Sequence, residues 1–343
     1  MRTTRDYLPR TVNAGPFLTA YTLDALRSRI AVERVVLPIC SLGTPVEELG
    51  RLAALVLPPL YHEALDGSLQ AALVARIRDC FPYFVGTKAR KSFTGQLEIV
   101  ELPRRENPVP TTPRILAFSV DTAVEEHGPH LPLATDTIQS YAVLEQLARE
   151  FPGLMLGPPV EYGQLTWGLP FGLSIDITAP LLTRYVTNFA NAVLDWCSPT
   201  ALYVVDVHGS LVHRTAIEAG LAASRCPRWA FRWLYEPLVE FAGQRGDQHA
   251  GGVETALVER VSPNLVDSRW WPRRIEELAA GQMTMESAVA LSSDLNRFID
   301  RVESSPLNGI VGDIRNFFDV DSELMFHRML DVARRDVEGL LLL

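Results

Sequence analysis

Residues 115–136 read ILAFSVDTAVEEHGPHLPLATD, an apolar run that turns abruptly into a stretch dense in carboxylates and imidazoles. Ile115–Val120 has the continuous hydrophobicity of a strand buried on both faces, as in a parallel sheet. Five residues on come Glu125, Glu126, His127, His130 and Asp136, constrained by Gly128, Pro129 and Pro132. The stretch that follows, Thr137–Phe151, sets Ile138, Tyr141, Leu144, Leu147 and Phe151 on one helical stripe. A polar cluster between a buried strand and a helix lies at the carboxyl end of the strand, where open α/β sheets hold their ligands.

The same alternation continues downstream. Leu154–Leu156 is a short strand candidate, Leu181–Trp196 a helix, Ala201–Val207 (ALYVVDV) the most strand-like segment, and His213–Ser224 a further helix. Strands alternating with helices predict a layered α/β fold with a mostly parallel sheet. His208 follows the second strong strand and stands beside Gly209, so it is placed to face the same crevice. A third cluster, DQHAGGVET at 247–255, puts His249 and Glu254 five residues apart around glycines that permit close backbone approach. Each cluster alone is weak, because a lone loop histidine is more often a surface residue and Asp136 alone reads equally as a helix N-cap. Together they point to a metal site, and mixed His and carboxylate donors suit Zn²⁺, Mn²⁺ or Fe²⁺ rather than Ca²⁺ or Mg²⁺.

Upstream, Pro103–Pro113 (PRRENPVPTTP) carries four prolines and no apolar periodicity, and predicts an extended connector. It divides the chain into residues 1–110, an extension of open role such as a lid or an interface, and residues 111–343, the catalytic part. The extension reads as α/β itself: Val35–Ile39 is a short buried strand, Ala53–Leu57 a second apolar element, and Leu69–Cys80 has helical spacing. VVLPICSLG followed by LVLPPLYHE echoes ILAFSVDTAVEEHG followed by LMLGPPVEYG in outline. Coincidence is the plainer account of the echo. The first copy lacks metal-binding side chains at the matching places and is given no catalytic role.

With 32 basic against 41 acidic residues and a net charge of −9, the chain has no electrostatic footprint for nucleic acid. No apolar core of a signal peptide follows Met1, and no stretch approaches the roughly 20 apolar residues of a membrane span. Cys40, Cys80, Cys197 and Cys226 are scattered without a CxxC pair, and buried free thiols in a reducing compartment are the plain reading. These features predict a cytoplasmic protein acting on a small-molecule substrate.

EEHGPHLPLATD resembles the E-x-H-G-P-H-L-P-L-x-T-D signature of the creatininase family of amidohydrolases. VVDVHGS is similar to the strand that ends in that family's second metal-binding histidine, and DQHAGGVET to its D-x-H-A-G-x-x-E-T element. The resemblance runs from about Arg114 to the C-terminus. It implies a three-layer α/β/α fold with two divalent ions: Glu125, Asp136 and His208 hold one, and His127 and Asp136 hold the other, with Asp136 bridging. Creatininase itself has a Glu two residues after the metal histidine, where this chain has Ser210, so Glu254 is assigned as the remaining carboxylate.

The resemblance further implies a metal-bound hydroxide attacking a carbonyl, with His249 moving a proton at the leaving atom. The segment from Tyr162 to Phe171 keeps the family's Tyr-Gly start but lacks its common histidine. Tyr162, Trp167 and Ser210 are therefore the candidates for substrate contact. The implied reaction is C–N cleavage in a small, polar, cyclic amide, in a homo-oligomeric enzyme. Two alternatives stand beside it: C–C hydrolysis of a cyclic ketone of the oxidised cyclitol type, and a metal-free, inactive scaffold subunit. His130 is read as structural or outer-shell, and Glu126 as solvent-facing or supporting.

Overall fold

In the computed structural model, residues 17–22, 26, 34–52, 55–84, 97–107, 109, 112–165, 168–266 and 271–342 are described. The strands are β1 (Val35–Cys40), β2 (Leu55–Val56), β3 (Leu60–Tyr61), β4 (Leu97–Glu101), β5 (Ile115–Ser119), β6 (Leu154–Leu156), β7 (Ala201–Asp206) and β8 (Trp229–Trp233). The helices are α1 (Val46–Leu49), α2 (Gly67–Phe84), α3 (Thr135–Glu150), α4 (Ala179–Cys197), α5 (Leu211–Ala222) and α6 (Val239–Gln244). They continue with α7 (Gly252–Val261), α8 (Arg273–Ala279), α9 (Met285–Ser292), α10 (Leu295–Ser304) and α11 (Ser322–Leu342).

The central sheet has the order β6-β5-β7-β8, with every pair parallel. Each residue of β5 and β7 is buried, as a strand covered on both faces requires. Side chains alternate strictly between the two faces. Leu116, Phe118, Leu202 and Val204 enter one buried cluster together with α4 and α5. Ile115, Ala117, Tyr203 and Val205 enter another together with α3 and α11. Helices on both faces of one parallel sheet make the three-layer α/β/α arrangement that the resemblance implies.

Helix α4 shows how the pattern is met locally. Pro180 opens its first turn, where a missing N–H costs nothing. Leu182, Tyr185, Val186, Phe189, Ala190, Val193 and Cys197 recur at intervals of three and four and form its buried stripe. Ser198, with φ of 48°, then turns the chain out of the helix.

The N-terminal part has a second parallel sheet. β4 pairs with β1 from Val35 to Ile39, which leaves β2 and β3 in line on the other edge of β1. In both sheets the first strand of the chain lies in the middle, with the next strand on one side and a later one on the other. This arrangement recurs where the sequence echo falls, and it favours duplication over the coincidence that the residues alone suggested. The two sheets do not have separate cores. Leu37, Ile39, Leu57, Leu73 and Ile77 share one buried cluster with Phe118, Phe189 and Val193. Arg76 on α2 also ion-pairs with Asp176, and Arg184 on α4 with Asp66 at 2.6 Å.

Candidate metal centre

Three segments at the carboxyl ends of the central strands meet in one buried cluster. The loop after β5 supplies Glu125 and His127, the first turn of α3 supplies Asp136, and the residue two past β7 is His208. The loop into α7 supplies His249, and the first turn of α7 supplies Glu254. Among the described residues, donor atoms of Glu125, His127 and Asp136 lie within 4.8 Å of one another, as do those of His127, His249 and Glu254.

Asp136 does not cap its helix. The N-cap position is Ala134, so both oxygens of Asp136 are left for the crevice. Oδ1 lies 3.3 Å from His127 Nε2, and Oδ2 lies 3.6 Å from His208 Nδ1. Glu125 Oε2 is 3.0 Å from His208 Nδ1, and Glu254 Oε2 is 3.8 Å from His127 Nε2. Glu125 Oε1 has no hydrogen-bond partner.

Main-chain carbonyls fix the tautomers of all three imidazoles, because a carbonyl can only accept. His127 Nδ1–H donates to Glu125 O at 3.1 Å, His208 Nε2–H to Gln164 O at 3.0 Å, and His249 Nε2–H to Glu126 O at 2.7 Å. The other nitrogen of each ring faces inward with its lone pair. Burial works against charging His127, yet Asp136 and Glu254 push its pKa up to about 10. His208 is likewise desolvated but driven well up by Glu125 and Asp136. Burial raises the Asp136 carboxyl, and His127 then outweighs it and holds the group well below the usual range. Convergent carboxylates, an orphaned Glu125 oxygen and pre-aligned imidazole lone pairs are the donor set of a divalent cation, whose binding would displace protons from the rings.

Thr122 and Asp121 carried no signal in the sequence. The Thr122 hydroxyl lies against both Glu125 Oε2 and Asp136 Oδ2, the latter at 2.8 Å. Asp121 Oδ1 accepts Val207 N–H at 2.8 Å and joins the ends of β5 and β7 beneath the site. Burial first, then the charge of Asp136, lifts the Asp121 carboxyl to about 6. Asp247 Oδ2 accepts Val253 N–H at 2.9 Å and Glu254 Oε2 accepts Ala250 N–H at 2.7 Å, which together shape the loop into α7. Ala250 is held there at φ 53°.

The remaining candidates separate. Ser210 is half-buried, and its hydroxyl donates to Gln164 Oε1 at 3.0 Å, bracing the segment whose carbonyl holds His208. Tyr162 is not brought to the cluster. Its ring is buried in the core shared with the N-terminal sheet, and its hydroxyl donates to Pro58 O at 2.7 Å. Trp167 lies outside the described residues. His130 is buried with Nε2 2.8 Å from the Thr255 hydroxyl, a packing role that joins the loop to α7. Glu126 is buried rather than solvent-facing, and its Oε2 accepts Gly128 N–H at 3.0 Å.

A three-layer α/β/α sandwich with these donors at the carboxyl edge of its sheet has the make-up of a divalent-metal-binding protein. The family profile described as creatinine amidohydrolase matches residues 120–329, and the chain belongs to the creatininase family. Among curated proteins it is 29% identical over 219 residues to a mycofactocin precursor peptide peptidase of Mycobacterium ulcerans (strain Agy99). That match spans 61% of this chain and 79% of the relative. A second such peptidase, from Mycolicibacterium smegmatis, is 29% identical over 147 residues, covering 41% of this chain and 56% of the relative. A solved creatininase carrying a tryptophan-to-phenylalanine mutation shares the fold, with a TM-score of 0.50 at 17% identity over 66% of this chain and 92% of that one. Among the described residues no helix is long and apolar enough to cross a membrane.

Proposed function

We propose that this chain hydrolyses an amide C–N bond with two divalent ions, one held by Glu125, Asp136 and His208 and the other by His127, Asp136 and Glu254. The observation that carries this reading is Asp136, whose two oxygens face two different imidazoles, as a bridging carboxylate must. Zn²⁺, Mn²⁺ and Fe²⁺ all suit these donors. Once bound, such ions supply Lewis acidity and bring the pKa of a coordinated water toward neutrality.

The chain's own residues do the rest. His249 is anchored through Nε2 on Glu126 O, which leaves Nδ1 to deliver a proton to the departing nitrogen. Thr122 holds Glu125 and Asp136 in register, and Gln164, braced by Ser210, orients His208. The substrate favoured by the curated relatives is a peptide amide, since their names assign them a precursor peptide. The family description also keeps a cyclic amide in the assay panel.

The test is metal content of the purified protein beside Asp136→Ala and His249→Gln. Two ions per chain in the wild type, both lost in Asp136→Ala, with His249→Gln retaining metal but not amide hydrolysis, is the expected pattern. Metal lost from His249→Gln would make His249 a ligand instead of a proton carrier. No metal in any sample after reconstitution would sink the proposal.

A further inference from the structure

We propose that the crevice at the carboxyl ends of β1 and β3 is a second ligand site, taking a small molecule whose protonated amine pairs with Glu161 and whose short alkyl part lies on Val46, Leu49 and Pro58. The N-terminal sheet repeats the strand arrangement of the catalytic sheet. Its crevice falls where the metal centre falls in the other copy, at the carboxyl edge where parallel sheets hold ligands. Cys40 closes β1 and Tyr61 closes β3 at this edge, and both line the crevice together with Val56 of β2 and Leu57, Pro58 and Pro59 from the break between β2 and β3. None of the metal-centre donors lines it.

Glu161 reaches the crevice from the segment after β6 and is 6% exposed. Its carboxylate has no hydrogen-bond or ion-pair partner among the described residues. Burial first, then the charge of Asp121, lifts its pKa to about 8. A buried carboxyl left alone costs free energy that a cationic partner recovers.

The other polar groups of the lining narrow the class of ligand. Thr44 spends its hydroxyl proton on Ser41 O at 2.7 Å, and burial pushes the Cys40 thiol up to about 12, so it stays neutral. With one carboxylate and no second anionic donor among the described residues, the crevice is unsuited to a divalent ion, which collects several hard oxygens. Among the described residues no Lys, Arg or His lines it, so an anion meets no counter-charge from them. An ammonium group with a few methylenes matches a single carboxylate above apolar walls.

The occupant would adjoin the catalytic loop without entering it. Glu161 O accepts Ala123 N–H, and Thr19 O, on the crevice wall, accepts Ala134 N–H, both at 3.1 Å. These bonds hold the two ends of the loop that carries Glu125 and His127.

The probe is n-butylammonium, titrated calorimetrically into the metal-loaded protein at pH 9, where Glu161 has released its proton and the amine keeps its own, beside n-butanol and butyrate. Wild type is expected to bind the amine at least about tenfold more tightly than the alcohol, as a charge-assisted hydrogen bond requires, and to ignore butyrate. Glu161→Gln and Val46→Phe, the second placed at a half-buried wall position, are each expected to lose about tenfold in affinity with circular dichroism and metal content unchanged. Equal binding by wild type and both variants would put the amine elsewhere, at the metal centre included, and overturn the proposal. Binding of butanol as tightly as the amine, or no binding at millimolar amine, would overturn it too.

Discussion

The carboxylate of Glu126 fills the space in which Gly309 would carry a side chain: a Cβ there would stand 1.9 Å from Oε2. Gly309 also sits at φ 92°, a conformation costly for any L side chain. Glu126 in turn holds Gly128 N–H, and its carbonyl anchors His249, so a contact between residues 183 positions apart supports the imidazole proposed to carry the proton.

Gly309→Ala should therefore displace Glu126 and with it His249. We expect a loss of more than about 2 kcal/mol in stability from strain and overlap together. Turnover should fall while the ligands, and hence the metal stoichiometry, persist. Thermal unfolding beside metal analysis checks this; an unchanged melting temperature would show that the 309 loop yields freely.

Thr122→Val keeps the shape of a buried side chain and deletes the hydroxyl that touches Glu125 and Asp136. Loss of such an outer partner is expected to weaken metal binding by about 10- to 100-fold. Competition against a chromogenic chelator measures it. Affinity equal to wild type would mean the ligands hold their positions without help.

Glu161 gives the stability a pH dependence whose sign follows from its raised pKa. The folded chain keeps the proton up to about 8, whereas an unfolded glutamate releases it near 4.5. Its contribution is full below the unfolded value and is lost as pH rises through the folded one, with a slope of about 1.4 kcal/mol per pH unit between the two. Glu161→Gln should flatten the melting temperature of the ligand-free protein between pH 5 and pH 9 and exceed wild type at the alkaline end. Parallel curves would show the carboxylate already ionised in the native state.

Chelation should destabilise the wild type, because ions that bind only the folded state contribute about 4 kcal/mol at a thousandfold excess over Kd. Asp136→Ala should not respond. A chelator effect of equal size in both proteins would remove the bridging role from Asp136.

The catalytic half was legible where chemistry and periodicity coincide. ILAFS and ALYVVD are legible as strands because a nearly all-apolar run of only five or six residues, rich in β-branched or aromatic side chains, is too short for a buried helix and fits a doubly covered strand. The helix predicted over 137–151 is α3, two residues longer at its start. Tyr162 misled because a Tyr-Gly pair at a loop reads as a pocket rim, while its ring is drawn into a core formed with Pro58, over a hundred residues earlier. β4 and β8 were not read, since LEIVE and WAFRW mix charge with bulk at the edges of their sheets, where hydrophobicity is only half required. Thr122 and Gly309 were silent for a different reason. A threonine after a strand and a glycine in a loop acquire meaning only from partners the chain brings in from afar.

The continuous core has a practical meaning for anyone shortening this protein. The connector at 103–113 looks like a place to cut, and the resemblance begins just beyond it. Yet β1 and α2 press Leu37, Ile39, Leu73 and Ile77 into the same buried cluster as Phe118, Phe189 and Val193. A fragment starting at residue 111 would present that oily surface to water and stick to its neighbours, so β1 and α2 are better regarded as a wall of the enzyme than as an attachment to it.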